Sequence, residues 1–83
     1  MPDPPASGRD PAVAGEQRER LLAALATLPE RQRLAVVLFE VEGYRHAEIA
    51  GILDVPEGTV RSDVFHARRA LRARLGSILE EGP

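Results

Sequence analysis

The chain has no cysteine, so neither a disulfide framework nor a cysteine zinc site is open to it. Its two histidines, His46 and His66, are too few to complete a metal site by themselves. Lysine is also absent, and all eleven cations are arginine. That bias reflects either a need for phosphate and base contacts or the codon usage of a GC-rich genome. No apolar run approaches the ~20 residues of a membrane helix, and the first ten residues are rich in Pro and Asp rather than basic and then apolar. There is no glycine-rich phosphate loop and no nucleophile beside a base at motif spacing. His46 and Glu48 stand two apart, a spacing at which helical side chains diverge. The expectation is a cytoplasmic, non-enzymatic protein with no metal, no cofactor and no membrane contact.

What is present fits one small domain and a tail, because 83 residues with 43% hydrophobic content leave no room for a second core. Residues 1 to 15 hold four of the seven prolines and, after Met1, a single large apolar side chain, Val13. They predict a disordered tail or interdomain linker, with the domain over residues 16–80. From Glu16 the pattern becomes helical, with Leu21, Leu22, Leu25 and Leu28 at helix spacing. Thr27-Leu28-Pro29-Glu30 fits a capping box, so a second helix starts near Pro29. Leu34, Val37, Leu38 and Val41 form its expected core stripe, and Gly43 stops it. A short third helix is expected from His46 to Leu53, where Ala47, Ala50 and Gly51 permit close approach of a crossing helix. Asp54 stands where the next turn needs a left-handed residue. Pro56 sets the first turn of a fourth helix that the periodicity carries to about Leu79. The fold class is therefore all-α: a compact four-helix domain with a C-terminal helix-turn-helix, no wing and a disordered N-terminal tail.

The second helix of such a unit can enter the DNA major groove. Net charge is −2, yet residues 61 to 75 carry five arginines against Asp63, whereas residues 28 to 60 carry six acids against three arginines. Positive charge thus collects on the fourth helix. At about 100° per residue, Val60, Val64, Ala67, Leu71 and Leu75 share one stripe roughly 80° wide. Ser62, His66 and Arg69 point nearly opposite, Phe65 and Arg72 lie off the stripe, and Arg61 and Arg68 flank it. Phe65 either packs on thymine methyls and sugars or packs sideways on the first helix. The arginines either line a phosphate edge or form a solvated face. His66 is a base-edge partner or a surface histidine, and Thr59 a first-turn hydroxyl within reach of phosphate. Glu57 either complements the helix dipole or accepts from a cytosine amino group.

At Leu28-Pro29-Glu30-Arg31-Gln32-Arg33, Glu42-Gly43-Tyr44, Glu48-Ile49-Ala50, Pro56-Glu57-Gly58-Thr59-Val60-Arg61-Ser62 and Ala67-Arg68-Arg69-Ala70-Leu71, the chain resembles region 4 of bacterial sigma-70-family factors, extracytoplasmic-function branch. The resemblance covers about residues 17 to 76. It implies a four-helix domain whose last helix reads the −35 promoter element on double-stranded DNA. An apolar surface is then expected to dock the flap-tip helix of the RNA polymerase beta subunit, and an anti-sigma factor is a further partner. Carried over, Arg61, Ser62, Phe65, His66, Arg68 and Arg69 fall where the family contacts bases and backbone, and Arg33 where a phosphate contact is expected. Arg45 departs from the pattern in replacing a capping Ser. Asp63 stands where Arg or Lys is usual, and repels phosphate if it faces the backbone. The chain has no room for region 2, so it is expected to be an excised domain or a free-standing regulator of the same fold.

Two other functions fit the residues. One is a protein-interaction module that binds the flap tip or an anti-sigma factor without promoter DNA, motivated by the net charge, Asp63, Arg45 and the off-stripe apolar residues Val36 and Phe39, whose alternative is to face the first or last helix if this middle helix is buried on two sides. The other is a LuxR-type helix-turn-helix regulator, which shares Glu-Ile-Ala and Thr-Val and would dimerise on DNA, where a sigma-like domain is expected to be a monomer.

Overall fold

A computed structural model describes residues 11–76 of the chain. Four helices follow one another: α1 Pro11–Ala26, α2 Glu30–Glu40, α3 His46–Leu53 and α4 Glu57–Leu75. There is no strand among the described residues. No helix there is long and apolar enough to cross a membrane.

α4 is the axis of the packing. Its N-terminal half meets α2 and α3 through Val60 and Val64, which close on Ala35 and Ile49, with Leu38, Phe39, Leu53 and Val55 at the edge. Its C-terminal half meets α1 and α2 through Ala67, Leu71 and Leu75, which close on Ala24, Leu28 and Val36. All five residues of the expected α4 stripe are buried, and Ile49, Val60, Ala35 and Ala67 have no exposed surface. Small residues at 35 and 67 let backbones approach closely, and the larger partners fill the space that remains.

α2 is oriented differently from the expectation. Leu34 and Val41 are 42% and 73% exposed, whereas Ala35 and Val36 are buried. The reason is that α2 is buried on two sides at once, Ala35 toward α3 and Val36 toward α1, so no single apolar stripe describes it. The off-stripe residues Val36 and Phe39 both contribute to the core. α1 also buries less than its leucines suggest, with Leu22 57% exposed.

The connections explain the helix ends. The Thr27–Glu30 capping box does not form, because the Thr27 hydroxyl donates to the Ala24 carbonyl at 2.6 Å and closes α1 instead. α2 begins one residue after Pro29, with no side-chain cap. Gly43 at φ +80° turns the chain out of α2. α3 has the expected bounds and lacks a hydroxyl cap, but the Glu48 carboxylate accepts from the Arg45 amide at 2.8 Å and satisfies one free donor. Asp54 is left-handed, at φ 60° and ψ 49°, and Pro56 immediately precedes α4. α4 stops at Gly76, φ 55°, short of the expected Leu79, which lies outside the described residues. At the other end α1 starts at Pro11, so residues 11–15 of the expected tail are helical, while 1–10 lie outside the described residues.

Close approach is not what Gly51 provides. A Cβ built there meets nothing within 4 Å, and Ala47 is likewise exposed. Gly51→Ala is therefore expected to raise stability by about 0.5–1 kcal/mol. Gly43→Ala, at a positive φ, should lower it by about 1 kcal/mol or more. Ile49→Ala should cost about 2–5 kcal/mol by removing the contact between α3 and α4. Urea unfolding of the three variants checks all of these.

Candidate nucleic-acid interface

The turn Asp54-Val55-Pro56 joins α3 to α4 as a helix-turn-helix, with Val55 tucked against the core so that the two helices keep one relative setting. Because Val60, Val64 and Ala67 face inward, Arg61, Ser62, Phe65 and His66 between them are turned to solvent. Arg61, Phe65, Arg68, Arg69 and Arg72 form one edge of α4 and, with Phe39, His46 and Val64, line a groove between α4, α2 and α3. Phe65 is 59% exposed and borders this groove, away from α1. It takes no part in the apolar cluster that joins α4 to α1. Its ring stands edge-on to His66 at 5.3 Å between centroids.

Ser62 and His66 are exposed on the adjoining outward face, and Thr59 is half-buried in the first turn. Glu57 accepts from Arg61 Nη2 at 2.6 Å, an i,i+4 pair with the acid on the favourable N-terminal side. Arg68 Nε lies 3.2 Å from Glu40 Oε2 at the end of α2. Both pairs are largely solvated, and such pairs exchange readily for another anion. Arg69 has no ion-pair partner given among the described residues, and Arg72 is engaged within the molecule. Arg33 stands apart from the groove, donating from Nη1 to the Leu28 carbonyl at 3.2 Å.

Two features were not anticipated. Phe39 and His46 stack face to face, 4.5 Å between centroids and 5° between planes, and pave one wall of the groove. They stand seven positions apart across the turn from α2 to α3, and no periodicity announces the contact. Asp63 does not face outward: it is 5% exposed and held by Arg31 of α2, with Nε donating to Oδ2 at 2.6 Å and Nη2 to Oδ1 at 3.3 Å. The repulsion of phosphate expected from Asp63 is thus countered at its source. The hydrogen bond to this carboxylate, and then its charge, push the Arg31 guanidinium pKa up, so Arg31 remains a cation. Among the described residues no group of His, Asp and Glu could hold a metal ion.

Residues 18–71, which run through all four helices, match the family described as Sigma-70, region 4. The chain belongs to the sigma-70 region 4 family. Its relatives assign it to the extracytoplasmic-function type. It is 45% identical over 67 residues to the ECF RNA polymerase sigma-E factors of Escherichia coli (strain K12) and Salmonella typhi, the match covering 81% of this chain and 35% of each relative. The factor of the same name in Haemophilus influenzae is 33% identical over the same length. The chain thus spans about a third of the length of the curated relatives it matches. Membership in the sigma region 4 family removes the LuxR-type alternative, and a domain of this kind is not an enzyme.

Because Phe65 contributes so little to the core of this sigma region 4 domain, Phe65→Ala is expected to change the free energy of unfolding by no more than about 0.5 kcal/mol. Denaturant titration beside the wild type checks that any effect of this variant on binding arises at the surface.

Proposed function

We propose that this domain reads the −35 promoter element through α4 and docks on the flap tip of the RNA polymerase beta subunit during transcription initiation. The observation that carries the reading is the exposed Phe65 set among Arg61, Arg68, Arg69 and Arg72 along one edge of α4. An exposed aromatic ringed by guanidinium groups matches a DNA groove, where thymine methyls and sugars meet the ring while phosphates and guanine edges meet the arginines. Ser62 and His66 extend that surface toward base edges, and Thr59 stands in the first turn of α4, where the helix dipole favours phosphate. The phosphates would draw Arg61 and Arg68 from Glu57 and Glu40, exchanging one charge-assisted bond for another.

Docking on polymerase is supported by a second surface. An apolar groove of about 350 Å³ runs between α1, α2 and α4, floored by Leu21, Leu25, Val37, Val41 and Leu71 with Arg68 and Arg72 at its rim. A helix with an apolar face fits such a groove. An anti-sigma factor would use the same surface. The same groove, together with the occupied Arg61 and Arg68, favours the second reading, an interaction module without promoter affinity.

Fluorescence anisotropy on duplexes carrying a GGAAC-like element or its scrambled versions, titrated through salt, separates the two. The expected result is a preference for the element and a slope of several phosphates, with affinity in the micromolar range typical of weak or non-specific DNA binding. Phe65→Ala or His66→Ala should relax preference at particular base positions by about 1–3 kcal/mol each. Arg68→Ala should weaken binding to every sequence alike and flatten the slope by about 0.9. Binding of a flap-tip peptide with no DNA binding at low salt would decide for the interaction module.

A further inference from the structure

A helix in the major groove lies between two sugar-phosphate backbones, in a channel about 12 Å wide. The cations of α4 are unevenly placed for two such walls. At about 100° per residue, Arg61, Arg68 and Arg72 all fall on one flank of the buried stripe. The other flank carries Asp63 and Ala70, and its only arginine is Arg74 in the last turn. By α4 alone, the reading half of the helix meets one backbone with positive charge and the other with none.

Arg31 fills that gap from a different helix. Its Nε and one N–H of Nη2 hold the two oxygens of Asp63, which leaves three of its five N–H donors unused by that pair. The pair is asymmetric in burial: the Arg31 side chain is 55% exposed, and that of Asp63 only 7%. The anion therefore lies inside and the cation outside, and a phosphate approaching this flank meets the guanidinium first. Asp63 also fixes the plane of the fork, so little further ordering is needed when a third partner binds. Arg33, two residues further along α2, is turned instead to the Leu28 carbonyl.

We propose that Arg31 is a DNA-backbone contact, the counterpart on the second strand of the contacts made by Arg61, Arg68 and Arg72, and that Asp63 is the residue that positions it. The inference rests on the promoter-reading function. It reverses the role of Asp63, from a residue that repels DNA to one that aims a cation at it.

The test is the double variant Arg31→Gln with Asp63→Asn, which replaces the ion pair by a neutral hydrogen-bonded pair and leaves the net charge of −2 unchanged. A thermal melt establishes that it folds. Anisotropy with the same duplexes is then expected to give a salt slope shallower by about 0.9 and an affinity about five- to tenfold lower at low salt, with the ratio between element and scrambled DNA unchanged. Arg31→Lys, which keeps the cation, should retain the wild-type slope. A double variant with the wild-type slope would overturn the proposal and leave the pair a purely internal brace. Independently of any variant, the Nε–Hε resonance of Arg31 in the wild-type chain should shift on titration with duplex, and a resonance that stays in place overturns the proposal as well. If the wild type itself binds no duplex at low salt, the promoter reading fails and Arg31 falls with it. A wild type that binds normally beside an unaltered variant removes Arg31 alone.

Discussion

The contact of Val60 with Ile49 and Ala35, all without exposed surface, sets the rotation of α4, and nearly everything the surface presents depends on that rotation. Since successive helical residues are about 100° apart, fixing Val60, Val64 and Ala67 inward leaves no choice about where Arg61, Ser62, Phe65 and His66 point. A helix with this double duty has little freedom in its sequence. Its inward stripe is limited to residues that pack, and the remainder is available for recognition. The three-residue turn after α3 completes the constraint, because left-handed Asp54 and half-buried Val55 hold the two helices at one mutual setting.

Charge is organised around this frame in a way that net charge conceals. Glu57, Glu40 and Asp63 each face an arginine, so Arg61, Arg68 and Arg31 are already partnered in the unbound domain. Two of these pairs are solvated and contribute little to stability. The third is different in kind, because a carboxylate as buried as Asp63 is strongly unfavourable unless something holds it. Arg31 is therefore tied to the fold, whereas Arg61 and Arg68 are lightly held and open to exchange.

Much of this was legible in the sequence, and what was not has a common cause. The bounds of α3, the left-handed Asp54 and the five buried apolar residues of α4 follow from local rules, since they depend on neighbours along one helix. The exposed position of Phe65 also follows from the α4 wheel. α2 was misjudged because a helix buried on two sides has no single stripe, and the deciding residue, Ala35, carries almost no hydrophobic signal of its own. The burial of Asp63 is not legible because its partner lies 32 residues away. The stacking of Phe39 on His46 is hidden for a nearer reason, because the contact crosses the turn between α2 and α3, where the periodicity of neither helix applies. The failed box at Thr27 is a local error of another sort, where the hydroxyl donates to the Ala24 carbonyl and closes the earlier helix.

The two core clusters share α2 and α4 but no side chain, and α1 belongs to only one of them. A pull on the chain ahead of α1 therefore enters the domain through Ala24 and Leu28 and is delivered to Ala67, Leu71 and Leu75. The half of α4 that bears Arg61, Ser62 and Phe65 receives it only along the helix axis, where α-helices are stiff, and not as a twist. A force applied at α1 thus reaches the far half of α4 first, while the face that bears Arg61, Ser62 and Phe65 stays seated on α2 and α3.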